Sequence, residues 1–393
     1  MKAIVLSGGG SKGSYQIGVW KALKKLHIKY DIVTGTSVGA LNGALMTQKS
    51  YRKAIKLWKN INLKTLFGEE AIENTSNLKL LKMYKDNFIK NGGMDVENLQ
   101  NVINKNININ KFFKSNINYG LITFNLSKRK PLKLTKKKIP KDKLTDYLMA
   151  SASCYPAFKK KEIDNKNYID GGVYDNLPIN LALELGADEI ISIDLKAPGI
   201  KQPPKKKVPT IKIVPNNELT NFLNFNEEGA KRNIKFGYND TLKVFKKAEG
   251  KKYTFKLNSL EKNIKKHNNT WNYTFNKIVN NKKLIATIKK LLKLNDKTTE
   301  KITKKILLSI MESLGKDFEI DETRIYSYNN FNKKLIRNLN KNISNKNISK
   351  NNKQIISIYK KIAEEKNAIL RKEIFIYPNE FLKALYLFTI KED

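Results

Sequence analysis

The sequence predicts an α/β fold with a mostly parallel central sheet, helices on both faces, and a mainly helical, basic region after it. Three observations carry that expectation. Short β-branched runs alternate with segments of helical period through the first two hundred residues. Two of those runs end abruptly in glycine-rich turns that open helices, which places a site at the carboxyl ends of the strands. After about residue 245 the strand signal gives way to lysine-rich segments. At 393 residues the chain exceeds the usual size of one domain, so a domain over 1–245 and an extension over 246–393 are expected.

The first strand is Lys2-Ala-Ile-Val-Leu-Ser7, which runs directly into Gly8-Gly9-Gly10-Ser11-Lys12-Gly13. A helix over 14–27 follows, with Ile17, Val19, Trp20, Leu23 and Leu26 at roughly helical spacing. Three consecutive glycines leave backbone N–H groups unobstructed at a helix start, as an anion or an oxyanion requires. Gly8-x-Gly10-x-x-Gly13 is also, literally, a dinucleotide fingerprint. That reading needs an acidic residue closing the second strand, whereas Asp31 opens it. A G-x-x-x-x-G-K-[ST] loop is absent.

The second strand, 30–34, ends in Gly35-Thr36-Ser37-Val38-Gly39 and passes into a helix over 38–48. Gly35 and Gly39 remove the Cβ atoms that would clash in a sharp strand-to-helix turn. Ser37 is left at the tip, at a helix end that favours developing negative charge. Taken alone, the motif is equally an ordinary βα loop. Helices over 51–60 and 95–105 come next, with a less regular stretch over 60–95 between them. Strands near 118–125, 167–170, 189–194 and 209–214 follow, with a helix near 178–186 and a Pro-Pro-Lys-Lys-Lys linker at 203–207.

The strand near 167–170 delivers Asp170 into Gly171-Gly172. An aspartate in such a turn commonly bonds its own backbone. A serine nucleophile, however, needs a base, and Asp170 is the candidate downstream of the two glycine motifs. The chain has two histidines. His27 ends the first helix, on the side of the sheet away from Ser37, and His267 lies in a Lys/Asn-rich segment. Neither stands where a triad histidine belongs, so a Ser–Asp pair remains.

On these residues the chain resembles the patatin-like phospholipases, lipid acyl hydrolases with a Ser–Asp dyad. Gly8–Gly13, with Lys12 as its basic member, corresponds to that family's oxyanion loop. Gly35–Gly39 corresponds to the nucleophile elbow and Asp170-Gly171-Gly172 to the turn that carries the base. Ala150–Phe158, Asn176-Leu-Pro178, Gly186–Asp194 and Gly237–Asp240 are further family-like stretches. The likeness covers approximately residues 1–245. It implies attack by Ser37 on an ester, with Asp170 as base and Gly8–Gly10 N–H groups holding the oxyanion. It also implies a phospholipid or other acyl-ester substrate, and a 60–95 insertion that shapes the acyl pocket. Lys12 either orients the loop, meets a lipid phosphate, or is simply solvated.

In the extension, Lys282–Leu294 has an apolar stripe opposite lysines, suited to a membrane surface or to packing on the protein. Thr299–Leu314 reads as a helix capped by Gly315. The Asn/Lys-rich 331–353 reads as an exposed connection. The apolar segment 373–388 is expected to dock on the rest.

The 76 basic residues against 36 acidic give a formal charge of +40, spread through the chain. An AT-rich coding sequence accounts for such lysine and asparagine usage. Attraction to anionic membranes is a consequence, at about 1 kcal/mol per basic residue near the surface. Nucleic acid is not an expected partner, because zinc-finger, RNP and helix-turn-helix patterns are absent. The single Cys154 excludes an internal disulfide. The first core strand begins next to Met1, no apolar run reaches the roughly 20 residues of a membrane span, and metal-ligand clusters are absent. A cytoplasmic protein without cofactor, at most peripheral on membranes, is the resulting expectation. The alternatives to an enzyme are a nucleotide- or phosphate-binding module using Gly8–Gly13, or a non-catalytic binder of anionic lipid or nucleic acid.

Overall fold

The computed structural model describes residues 1–67, 77–261, 299–344, 348–364, 373 and 376–392. They fall into two compact units, Met1–Val244 and Phe245–Asp393.

The first unit begins with β1 (Lys2–Leu6), a 3-10 turn (Gly10–Gly13), α1 (Ser14–Lys25), β2 (Ile32–Thr36), α2 (Val38–Thr47) and α3 (Tyr51–Lys59). It continues with α4 (Leu63–Phe67), α5 (Asn77–Asn91), α6 (Glu97–Asn106), α7 (Ile109–Lys114), β3 (Asn118–Asn125), β4 (Lys130–Thr135) and α8 (Leu144–Ala152). Its last elements are β5 (Lys161–Ile163), β6 (Lys166–Asp170), α9 (Ile179–Glu184), β7 (Glu189–Ile193), β8 (Thr210–Ile213) and α10 (Glu227–Val244). The expected strands and helices are present, and α4, α5, α7, β4, β5, α8 and α10 are added to them.

The sheet is mixed. Its order is β5-β6-β3-β2-β1-β7-β8, with β4 also paired to β3. The β1–β2, β1–β7, β2–β3 and β7–β8 pairs are parallel, whereas β4 and β6 run antiparallel to β3 and β5 antiparallel to β6. Central β1 and β2 are buried along nearly their whole length, which is why they read as unbroken apolar runs. Ala3, Val5, Ile32 and Ile190 pack with Leu177 and Ala182 of the α9 region on one face.

One register decides where the site forms. β2 stops at Thr36, opposite Ile122 of β3, and Asp170 of β6 stands opposite the next residue, Thr123. Because β4 occupies the other edge of β3 at both positions, β2 and β6 lie end to end along the same edge. The residue after β2 and the last residue of β6 therefore meet: they are Ser37 and Asp170.

The second unit holds β9 (Ala248–Glu249), β10 (Thr254–Lys256), α11 (Thr299–Asp317), β11 (Ile325–Tyr326), α12 (Tyr328–Ser344), α13 (Lys350–Glu364) and α14 (Pro378–Glu392). Its core gathers Tyr253, Phe255 and Tyr326 edge-on around Phe331, with ring centroids 5.1–5.3 Å apart. The stretch expected as an exposed connection, 331–353, is instead largely α12 and the start of α13. Phe331, Leu335 and Leu339 recur every four residues and are fully buried; the asparagines and lysines around them, of which Lys333, Lys334 and Asn340 face outward and Asn332 is itself buried, hide the period. Gly315 is inside α11 and does not cap it. A Cβ there would come within 2.7 Å of the Tyr253 ring and 2.8 Å of Phe331, so the glycine serves aromatic packing. α14 docks within this unit through Phe381, Leu382, Tyr386 and Leu387, and Lys383 pairs with Asp317 of α11 at 2.6 Å. The segment 282–294 and His267 lie outside the described residues. Among the described residues no helix is long and apolar enough to cross a membrane.

Candidate active site

Ser37 occupies a strained turn between β2 and α2, with φ 57° and ψ −131°. A Cβ on Gly35 would sit 2.2 Å from the Gly39 carbonyl oxygen, and one on Gly39 would sit 2.4 Å from that of Leu6, so neither position admits another residue. The turn is tied down from α8. The Ser37 N–H donates to Ser151 Oγ at 3.0 Å, and that hydroxyl donates to the Ile122 carbonyl at 2.7 Å. The Ser37 carbonyl accepts from Ala40 N–H at 2.8 Å, which starts α2.

Asp170 is buried and faces Ser37. Its N–H donates to the Ser153 carbonyl at 2.8 Å, and Oδ1 accepts from the Gly172 N–H at 2.7 Å. Ser37 and Asp170 line the same cavity, and the Ser37 side chain acts to lower the pKa of that carboxyl. Burial pushes the carboxyl up to about 6, against the opposing pull of the Ser37 side chain and the Gly172 hydrogen bond.

The six-residue glycine loop divides in two. Gly8 N–H is taken by Asn176, whose backbone oxygen lies at 3.0 Å and Oδ1 at 3.1 Å. Ser11 N–H goes to the Phe222 carbonyl at 2.8 Å, Lys12 N–H goes to Gly9 at 3.1 Å, and the Gly13 carbonyl accepts from Asn42. Among the described residues no acceptor takes the N–H of Gly9 or Gly10, and both residues border the same cavity as Ser37. Of the Gly8–Gly10 N–H groups, these two are the ones without an acceptor among the described residues. Lys12 borders a separate polar depression with Lys196 and Glu218, and burial lowers its ammonium pKa.

The cavity in front of Ser37 and Asp170 measures about 450 Å³. Its walls are apolar, with Leu41, Leu45, Trp58, Leu66, Ile103 and Phe222 prominent. The described part of 60–95 contributes Ile61 and Leu66 to this wall, and Tyr84 of α5 donates to the Leu223 carbonyl at 3.1 Å behind Phe222. Thr36, Val38 and Gly39 complete the turn, and Gly171 and Gly172 carry the backbone past Asp170. Cys154 also borders the cavity, its thiol pushed up to about 12 by burial and by the nearby Asp170 carboxylate.

Several supporting residues were given no role in the sequence, although Asn176 lies in one of the family-like stretches. Asn176 clamps Gly8 and donates to the Pro198 carbonyl at 3.1 Å. A buried chain runs from Trp58 Nε1 to Asn42 Oδ1 (2.8 Å), from Asn42 to Gln16 (2.8 Å) and from Gln16 to the Ser7 carbonyl (2.8 Å). It fixes the glycine loop to the cavity wall. His27 is exposed and precedes β2, at the opposite end of that strand from Ser37. Among the described residues no group of three or more His, Cys, Asp or Glu could hold a metal ion.

Comparison with known proteins finds a family for the first part of the chain. Residues 4–183 match the family model described as Patatin-like phospholipase. The chain is 27% identical over 197 residues to lysophospholipase nte1 of Aspergillus terreus, covering 49% of this chain and 12% of that protein. It is 26% identical over 186 residues to probable lipid hydrolase 463L of Invertebrate iridescent virus 6, covering 47% of this chain and 63% of that protein. The crystal structure of VipD from Legionella pneumophila aligns with a TM-score of 0.42 at 13% identity, over 99% of this chain and 91% of that one. The match thus spans less than two thirds of either curated relative's length. Residues 4–183 of this chain are a patatin-like phospholipase domain.

Proposed function

We propose that the protein is a serine lipid acyl hydrolase of phospholipase A or lysophospholipase type. The observation that carries this reading is the convergence of Ser37 and Asp170 at the end of one edge of β3, on an apolar cavity that the unpaired N–H groups of Gly9 and Gly10 also border. Asp170 takes the hydroxyl proton as Ser37 Oγ attacks the ester carbonyl. The two glycine N–H groups hold the oxyanion, each donor typically worth about 10²–10³ in rate. Collapse of the tetrahedral intermediate expels the alcohol, protonated by Asp170, and leaves acyl-Ser37 with its chain in the cavity. Asp170 then activates a water that releases the fatty acid.

A nucleotide reading of the same loop has less support. The free N–H groups face an apolar cavity, and the Asp31 carboxylate accepts from Lys2 N–H at 2.9 Å, at the far end of β1 and β2. Names of relatives such as lysophospholipase and probable lipid hydrolase point the same way.

The test is release of fatty acid from lysophosphatidylcholine and from diacyl phosphatidylglycerol. The wild type is expected to release it, and Ser37→Ala and Asp170→Asn are expected not to. Turnover at the wild-type rate in either variant would remove the dyad.

A further inference from the structure

We propose that an apolar rim around the Ser37 cavity, formed by Phe88, Ile89, Tyr155, Val173 and Ile200, docks the protein on an anionic phospholipid bilayer. The purpose of such docking rests on the acyl-hydrolase reading, and the experiment below separates the two.

These five side chains are 37–69% exposed. Single exposed apolar residues mean little, whereas a contiguous group of them marks an interaction surface. Among the described residues of 1–244, ten large apolar side chains are at least 36% exposed; three of them, Tyr155, Val173 and Ile200, line this opening, Phe88 packs edge-on against Tyr155, and Ile89 is next to Phe88 in sequence. The other five are Met1, Ile109, Leu126, Ile211 and Val244, and none of them borders the cavity.

The rim is continuous with the cavity, because Tyr155, Val173 and Ile200 are at once exposed to solvent and part of its lining. Phe88 stands edge-on to Tyr155 with ring centroids 5.6 Å apart, and Ile89 follows it on α5. Ile200 N–H donates to the Gly172 carbonyl at 2.9 Å, next to Val173. The Asp170 N–H to Ser153 carbonyl bond joins the end of β6, which leads to Val173, to the end of α8, which leads to Tyr155.

This continuity selects the occupant. A protein seated on the opening would close off Ser37, but a bilayer there lets an acyl chain pass from the lipid phase to the cavity along apolar walls. Charge favours an anionic surface. Lys85, Lys90, Lys160 and Lys201 flank the rim residues in sequence and are exposed, with Asp86 as an acidic neighbour on α5 and Asp194 paired to Lys201.

The experiment uses the full chain with Ser37→Ala, so that binding is read without turnover. Co-sedimentation is measured with vesicles of equal parts phosphatidylglycerol and phosphatidylcholine, and with pure phosphatidylcholine. Binding to the anionic vesicles is expected, and Phe88→Ser with Ile89→Ser should weaken it at least tenfold. In the Ser37 background the same pair should slow hydrolysis of vesicle lipid while leaving a soluble short-chain ester unaffected, since neither residue lines the cavity. As a second readout, Phe88→Trp should show a blue-shifted emission on vesicle addition. The proposal is overturned if the double variant binds like its parent, if the Trp emission does not move, or if the parent binds no vesicle. Vesicle binding through the rim with no ester cleavage by the wild type would leave the docking surface standing and remove the hydrolase reading.

Discussion

The two units of this chain place their buried polar groups differently. At the carboxyl ends of the first unit's strands, Ser37, Asp170, Asn176, Asn42, Gln16 and Asp175 are all buried, one on a strained backbone and two carboxyls pushed up to about 6 by burial. The second unit instead closes around Phe331 and its edge-on aromatic neighbours, and the polar side chains it buries, such as Asn332, Asn352 and Lys383, are spread over α12, α13 and α14. Stability alone explains the second arrangement. The first concentrates desolvation cost and backbone strain at one point, which is the pattern of a site arranged for chemistry.

Substitutions at the two places should therefore separate activity from stability. The largest effect is expected at the dyad. Ser37→Ala and Asp170→Asn should each lower ester turnover by about 10³-fold or more, because each removes a group that acts as one unit with the other. Neither should lower the melting temperature. For Asp170 the sign follows from its pKa: held above the usual carboxylate range, the folded state binds the proton more tightly than the unfolded chain. The native state therefore loses stability as pH rises from about 4 to about 6, and a neutral Asn escapes that loss. A collapse of melting temperature in either variant would break the contrast between the units.

The reciprocal experiment is Phe331→Ala, which should destabilise the second unit by about 3–5 kcal/mol in denaturant unfolding, from lost burial and the cavity left behind. Fluorophosphonate labelling of Ser37 at low temperature should persist. A smaller effect is expected from pH. With Asp170 required as the ionised base, kcat/KM should rise about tenfold per unit below pH 6 and level off above it. A profile flat from pH 4.5 to 8 would contradict that role. The smallest effect belongs to Ser151→Ala, which leaves the Ser37 N–H without its 3.0 Å acceptor and should cost about 1–3 kcal/mol of stability. Its test includes kcat against KM, since a loosened elbow lowers kcat and a merely structural role moves neither.

The same contrast explains what could be read from the residues alone. Gly35 and Gly39 were legible because backbone lies within 2.4 Å of where their Cβ atoms would be, and only glycine answers that demand. β1 and β2 were legible as unbroken apolar runs because both of their faces are covered. The meeting of Ser37 and Asp170 was not visible locally. It depends on β2 and β6 sharing one edge of β3, a register set by residues more than eighty positions away from Ser37 in sequence. Likewise, Gly8 looks the same as Gly9 and Gly10 until Asn176 occupies its N–H, and Ser151 belongs to no motif that announces an anchor. In the second unit the four-residue period of Phe331, Leu335 and Leu339 was present but diluted by asparagine, a residue of indifferent helix propensity.

The central claim, that Ser37 is a nucleophile activated by Asp170, is tested most directly by treating the intact protein with a fluorophosphonate and mapping the adduct by mass spectrometry across pH 4.5–8. One adduct on Ser37, forming faster as pH rises through about 6 and lost in Asp170→Asn, is the predicted result. A folded protein that stays unlabelled, or labels equally well with Asn at position 170, would contradict it.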